Sequence, residues 1–102
     1  MNANVAKCLL VSKVLVADGM MSDEEKDFLK GMMERLALTE AEQRSVIELE
    51  NWDQAEPIVQ KLSQEEKQEI VEMLVDAASA DGRLSAHELA TVQRVSKALG
   101  LK

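Results

Sequence analysis

The sequence predicts an all-α fold: a compact single-domain helical bundle of five to seven helices, built around two pseudo-two-fold-related helix–(Asp-Gly)–helix repeats. Three observations carry this. Apolar residues recur at helical spacing, Ser/Thr-x-x-Glu signatures punctuate the chain, and one helix–turn–helix pattern occurs twice. A chain of 102 residues has room for a single core. No segment alternates apolar and polar residues with period two over a useful length, so no strand is expected.

Taken in order, the first element is an apolar helix at about 4–17. Ser22…Glu25, Thr39…Glu42, Ser63…Glu66 and Ser85…Glu88 each form a capping box, in which the hydroxyl takes an orphan amide and the Glu reaches back to the cap amide. They start helices at about 23–37, 40–50, 64–80 and 86–99. Asp53…Glu56, with Pro57 in the first turn, starts one at about 54–62. Phe28, Leu29, Met32, Met33 and Leu36 share one face of the second helix. Ile70, Val71, Leu74, Ala77 and Ala78 do so in the fifth, and Leu89, Val92, Val95, Ser96 and Leu99 in the sixth. Connections of two to four residues join them.

Ala17-Asp18-Gly19-Met20-Met21-Ser22-Asp23-Glu24-Glu25 aligns with Ala80-Asp81-Gly82-Arg83-Leu84-Ser85-Ala86-His87-Glu88 at an offset of 63, and Leu36 and Leu38 meet Leu99 and Leu101. The domain therefore divides into repeat one at about 4–38, bridging helices at about 39–62 and repeat two at about 64–101.

Charge excludes some functions. The net charge is −7, and residues 39–76 alone carry −8, so a phosphate backbone is repelled by the middle of the chain. The two aromatics, Phe28 and Trp52, are too few for a base-stacking platform. That acidic stretch reads as a solvated face, with a basic protein partner as the sharper alternative. Nucleic-acid binding is not expected, and the oligomeric state is open.

Cys8, the single cysteine, allows no internal disulfide and reads as a small buried hydrophobe. The apolar stretch around it resembles a signal-peptide core. Lys13 interrupts it, however, and Asp18 stands where a small-residue cleavage site belongs. With no apolar run near ~20 residues, the chain reads as soluble, cytoplasmic and without membrane insertion.

The repeated Asp-Gly turn has two readings. In the first it is architecture: Gly19 and Gly82 end helices in a left-handed conformation, and Ser22/Glu25 and Ser85/Glu88 start the next ones. Asp18 and Asp81 are the remainder, because an acid at a helix C-terminus faces the negative end of the macrodipole at a cost of ~0.3–1 kcal/mol. The second reading places a cation there. Asp-Gly-x-apolar-Ser-x-x-Glu matches the latter half of an EF-hand loop, but Val14, Val16, Ala77 and Ser79 occupy the early ligand positions, so neither copy is an EF-hand. Brought together, the two turns would offer four carboxylates: Asp18, Glu25, Asp81 and Glu88.

Ala-Asp-Gly-x-[Met/Leu]-Ser-x-x-Glu, present twice and each time followed by an amphipathic helix closing on Leu-x-Leu, resembles the TerB-like family of bacterial tellurite-resistance-associated domains. The central Leu-Ser-x-Glu-Glu-Lys…Ile-Val-x-x-Leu-Val-x-Ala-Ala-Ser-Ala-Asp-Gly stretch is similar to that family too, and the likeness covers nearly the whole chain. The resemblance implies an all-helical fold with a metal-binding acidic cluster at the two turns, carried over by position to Asp18, Glu25, Asp81 and Glu88. It implies a divalent cation (Ca, Mg, Mn or Zn), a tellurite- or stress-response setting, and a protein partner. Family members also occur fused to a DnaJ-type co-chaperone; here His87 is followed by Glu88 rather than Pro-Asp, so no J domain is present.

Catalysis finds little support. His87 is the only imidazole, which rules out the two Glu-x-x-His sets of a di-iron bundle, and it reads as an exposed first-turn residue. No nucleophile–base pair or phosphate cradle is visible, so the expectation is a non-enzyme. Among the methionines, Met32 and Met33 read as core and Met20 as exposed. Trp52, in the link between helices three and four, reads as a core plug.

Overall fold

Asn2 opens the first helix by accepting the Val5 amide on its side-chain oxygen at 2.9 Å, a cap with no Glu partner in its own helix. In a computed structural model, which describes residues 1–17, 19, 21–78 and 86–101, six helices follow: α1 (Ala3–Leu15), α2 (Asp23–Arg35), α3 (Glu40–Ile47), α4 (Trp52–Gln60), α5 (Gln64–Ala78) and α6 (Ala86–Ala98). No strand occurs among the described residues. The Cα radius of gyration is 12.4 Å, close to the ~13 Å of a compact 100-residue domain.

The capping boxes are built as the sequence implies. Ser22, Thr39 and Ser63 each accept the amide three residues on and donate their own amide to the side chain of Glu25, Glu42 or Glu66, at 2.9–3.3 Å. The fourth box involves Ser85, outside the described residues. Asn2 also donates its side-chain amide to Glu42 at 3.0 Å, joining the start of α1 to that of α3.

α1 is the axis of the fold. Val5, Ala6, Cys8, Leu9, Leu10, Val11, Ser12 and Leu15 are all buried, which leaves no wide polar face. A helix apolar around its circumference belongs in the centre, and α2, α3, α4 and α6 all pack on it. The segment resembling a signal-peptide core is this helix. Burial pushes the Cys8 thiol pKa up to about 12, against an opposing effect of Lys7. The Ser12 hydroxyl, also buried, has no hydrogen-bond partner among the described residues. α5 packs on α2 and α6, adding Ile70, Val71 and Leu74 to the core.

One boundary of the sequence repeat recurs among the described residues: α2 ends at Arg35 and α6 at Ala98, at the offset of 63. Both second helices close through the same Schellman pattern. Leu38 N–H donates to the Met33 carbonyl at 3.1 Å and Leu101 N–H to that of Ser96 at 2.9 Å, across Ala37 at φ 57° and Gly100 at φ 77°.

Several expectations are corrected. The connections are not all two to four residues, since 16–22 between α1 and α2 is seven. α4 starts at Trp52, two residues before the expected 54, and Asp53 lies inside the helix rather than capping it. Its cap is Asn51, left-handed at φ 62° and without a side-chain bond, so Pro57 falls in the second turn. The reason is the tight reversal at 48–51, where Leu49 is also left-handed at φ 54°. Trp52 is consequently a helix residue, partly buried at the core edge rather than a plug. Leu89 leaves the apolar face of α6 and is 47 % exposed, while Val92, Val95 and Leu99 are buried.

Candidate functional site

The first Asp-Gly turn follows directly from the end of α1. Ala17 N–H bonds the Val14 carbonyl at 3.3 Å and Gly19 N–H the Val16 carbonyl at 2.9 Å. Gly19 has φ 124°, a backbone region that side-chain-bearing residues rarely adopt. Asp18, Met20, Asp81, Gly82, Leu84 and Ser85 lie outside the described residues, so the site is built from Glu25 and Glu88.

Glu25 is only 7 % exposed although it is charged. One oxygen accepts the Ser22 amide at 3.0 Å. The other faces the Arg94 guanidinium at 3.8 Å. Arg94, two-thirds buried on α6, donates at 2.6 Å to the Val14 carbonyl in the last turn of α1. One side chain from the second repeat thus satisfies a terminal carbonyl of α1 and the buried carboxylate of α2, two places of negative charge that need a cation. The sequence signal for it was slight: a single Arg, aligned with Gly31 in the other repeat, whose partners lie 69 and 80 residues earlier.

Glu88 is half-buried in the first turn of α6. It precedes Arg94 by six residues, about 9 Å along the helix at ~1.5 Å per residue. Among the described residues no three His, Cys, Asp or Glu side chains converge as a metal site. A cation reaching Glu25 would approach the oxygen that Arg94 already faces.

The remaining candidates fall into place around the core. Met32 and Met33 are buried, as expected of core residues. Met21 lines a cleft of about 270 Å³ between α2 and α3, with Leu29, Lys30 and Ile47. His87 is exposed in the first turn of α6. The carboxylates between Glu40 and Asp76 are exposed or half-buried, which makes that stretch a solvated face. No helix among the described residues is long and apolar enough to cross a membrane.

Compared with known families, residues 4–102 match the family model described as "Tellurite resistance protein TerB". No curated protein and no solved structure matches the chain.

Proposed function

This chain belongs to the tellurite resistance protein TerB family, and from that premise we propose that it is a non-enzymatic, cytoplasmic domain of the tellurite or stress response whose acidic cluster binds a divalent cation. The ligands are Asp18, Glu25, Asp81 and Glu88. The observation that supports this is the reach of Arg94 from α6 to Val14 and Glu25, which holds the helix carrying Glu88 against the two helices that flank the first Asp-Gly turn. One guanidinium against four carboxylates leaves an excess of negative charge. Repulsion among such groups is relieved by a cation.

Thermal denaturation with Ca²⁺, Mg²⁺, Mn²⁺ or Zn²⁺ tests the proposal. A cation held only by the folded state stabilises it by about 2.7 kcal/mol at a hundredfold excess over Kd. The melting temperature should rise in wild type and stay flat in Asp18→Asn/Asp81→Asn, with the metal-free variant no less stable than metal-free wild type.

A second reading, a protein-interaction adaptor in which the motifs are only caps, is favoured by one specific observation. The Ser/Thr-x-x-Glu box is equally complete at Thr39 and Ser63, where no Asp-Gly turn precedes it. It requires a flat metal titration and a destabilised double variant.

A further inference from the structure

α2 and α3 both rest on α1, and between them lies the cleft of about 270 Å³ that Met21 lines. Leu29 and Met33, buried in the core, form its floor, and Met21 and Ile47 its apolar walls. Ile47, the last residue of α3, is 54 % exposed, so a bulky aliphatic side chain stands half in water beside the opening. Gln43 adds a polar group from α3, held in place by donating its side-chain amide to the Leu38 carbonyl at 3.1 Å.

The charged residues of the lining are Lys26, Asp27 and Lys30, all on α2. Residues four apart on a helix are neighbours, with Cβ atoms ~5–6 Å apart. Lys26 and Lys30 therefore stand side by side on the stripe that also holds Leu29 and Met33. Like charges at this spacing destabilise a helix, and Asp27 offsets only one of the two. Among the described residues neither lysine has an ion pair, whether with Asp27 or with Asp23 and Glu34 one turn before and after them. Nor does the sequence repeat call for these cations, since the equivalent positions on α6 are Leu89 and Gln93.

We propose that this cleft binds a small amphipathic anion, an unbranched alkyl carboxylate, with its chain over Leu29, Met33 and Ile47 and its headgroup between the ammonium groups of Lys26 and Lys30. Each part of the lining selects a part of the ligand. The floor and walls take the chain out of water. Two ammonium groups within reach of one carboxylate supply charge-assisted hydrogen bonds and relieve the repulsion between them. Size selects a small molecule over a helix, because about 270 Å³ falls just under the ~300–1,000 Å³ of drug-sized pockets. The chain's net charge of −7 opposes any anion at long range, but salt screens that field over ~8 Å, so the lysines at the cleft decide. None of the four carboxylates of the proposed cation cluster lines this cleft.

Sodium octanoate below its micelle concentration is the probe, followed by calorimetry and by nitrogen–proton NMR. It should bind saturably, with a negative heat-capacity change and a weakening as salt rises. The amides of α2, Gln43 and Ile47 should shift, while the indole signal of Trp52, which lines a different groove, stays in place. Lys26→Gln/Lys30→Gln should weaken binding roughly tenfold. Gln matches Lys in helix propensity, so circular dichroism should not change. Asp27→Asn should tighten binding roughly threefold, and Ile47→Gln should weaken it roughly fivefold. Octylammonium, which lacks the anion, and acetate, which lacks the chain, should not bind.

No saturable heat overturns the proposal. Equal binding of octylammonium, or undiminished binding in the double lysine variant, overturns the role of the lysines and with it the choice of an anion. Shifts centred on Trp52 assign octanoate to the other groove. A Glu-flanked amphipathic helical peptide that shifts the cleft amides where octanoate does not assigns the face to an acidic protein partner, and the same result with phosphatidylglycerol vesicles assigns it to a membrane.

Discussion

The two repeats close their second helices alike and part company in what their first helices do. α1 lies in the centre with four helices around it, whereas α5 packs on two. The paired residues show why. Fully buried Leu9 aligns with exposed Glu72, buried Ala6 with exposed Glu69, and buried Val5 with exposed Gln68. The repeated motif therefore sets where helices start and stop, while the residues between motifs decide which helix goes to the middle. The fastening differs as well. Repeat two lends Arg94 to repeat one, and the position equivalent to Arg94 in repeat one is Gly31, which has no side chain to return.

The largest expected difference between the copies is in the first helices. Leu9→Ala should cost about 2–5 kcal/mol through lost burial and the cavity left behind. Glu72→Ala, at the matching position, should stay within about ±0.5 kcal/mol. Urea unfolding monitored by circular dichroism measures both, and equal costs would dissolve the distinction between a central and a peripheral copy.

Next in size is the clamp. Arg94→Ala leaves the Glu25 carboxylate buried without its cation and takes from the Val14 carbonyl its charged donor, leaving it the Ala17 amide. Discounted for the one-third exposure of Arg94, the loss should be about 1.5–3 kcal/mol, falling as salt rises. Arg94→Lys should recover only part of it, because one ammonium replaces a forked guanidinium.

The helix ends offer a smaller contrast with opposite signs. Ala37 holds the left-handed position that Gly100 holds in the other copy, with φ 57° against 77°. Ala37→Gly should gain about 0.5–1 kcal/mol and Gly100→Ala should lose about 1–2 kcal/mol. A shift of the urea midpoint at constant slope would show it.

The smallest effect at neutral pH belongs to Cys8, whose counterpart is Val71. Its thiol has a folded pKa of about 12 against an ordinary 9.0. A raised folded value stabilises the protein below the unfolded value, and that contribution is lost as pH rises from about 9 toward 12. Cys8→Ala should flatten this alkaline limb, and a thiol reagent at pH 8 should modify wild type no faster than the chain opens.

Helix starts were legible in the sequence because a capping box is local: four consecutive residues contain the whole interaction. The central place of α1 was half legible, since its run of apolar residues was plain but resembled a leader as much as a core. Asn51 and Leu49 were missed because nothing in their side chains favours the left-handed turn as strongly as glycine does. That conformation comes from packing α4 against α1. Arg94 was missed for the same reason at longer range. Its identity was visible, but its partners are fixed only once α6 lies across the end of α1. Of the four carboxylates, Glu25 could be recognised as a cap, while its burial against a guanidinium could not.

The dependence of α1 on distant neighbours bears on how the chain is made. During synthesis this helix emerges first, apolar on nearly every side, and α4 follows only some forty residues later. Its last turn waits longer still, because the Arg94 bond to Val14 spans 80 residues. Chain elongation at ~5–20 residues per second leaves α1 exposed for several seconds before that contact is possible. A nascent chain stalled before residue 94 should consequently hold ribosome-associated chaperones at α1, and release them once α6 has cleared the exit tunnel.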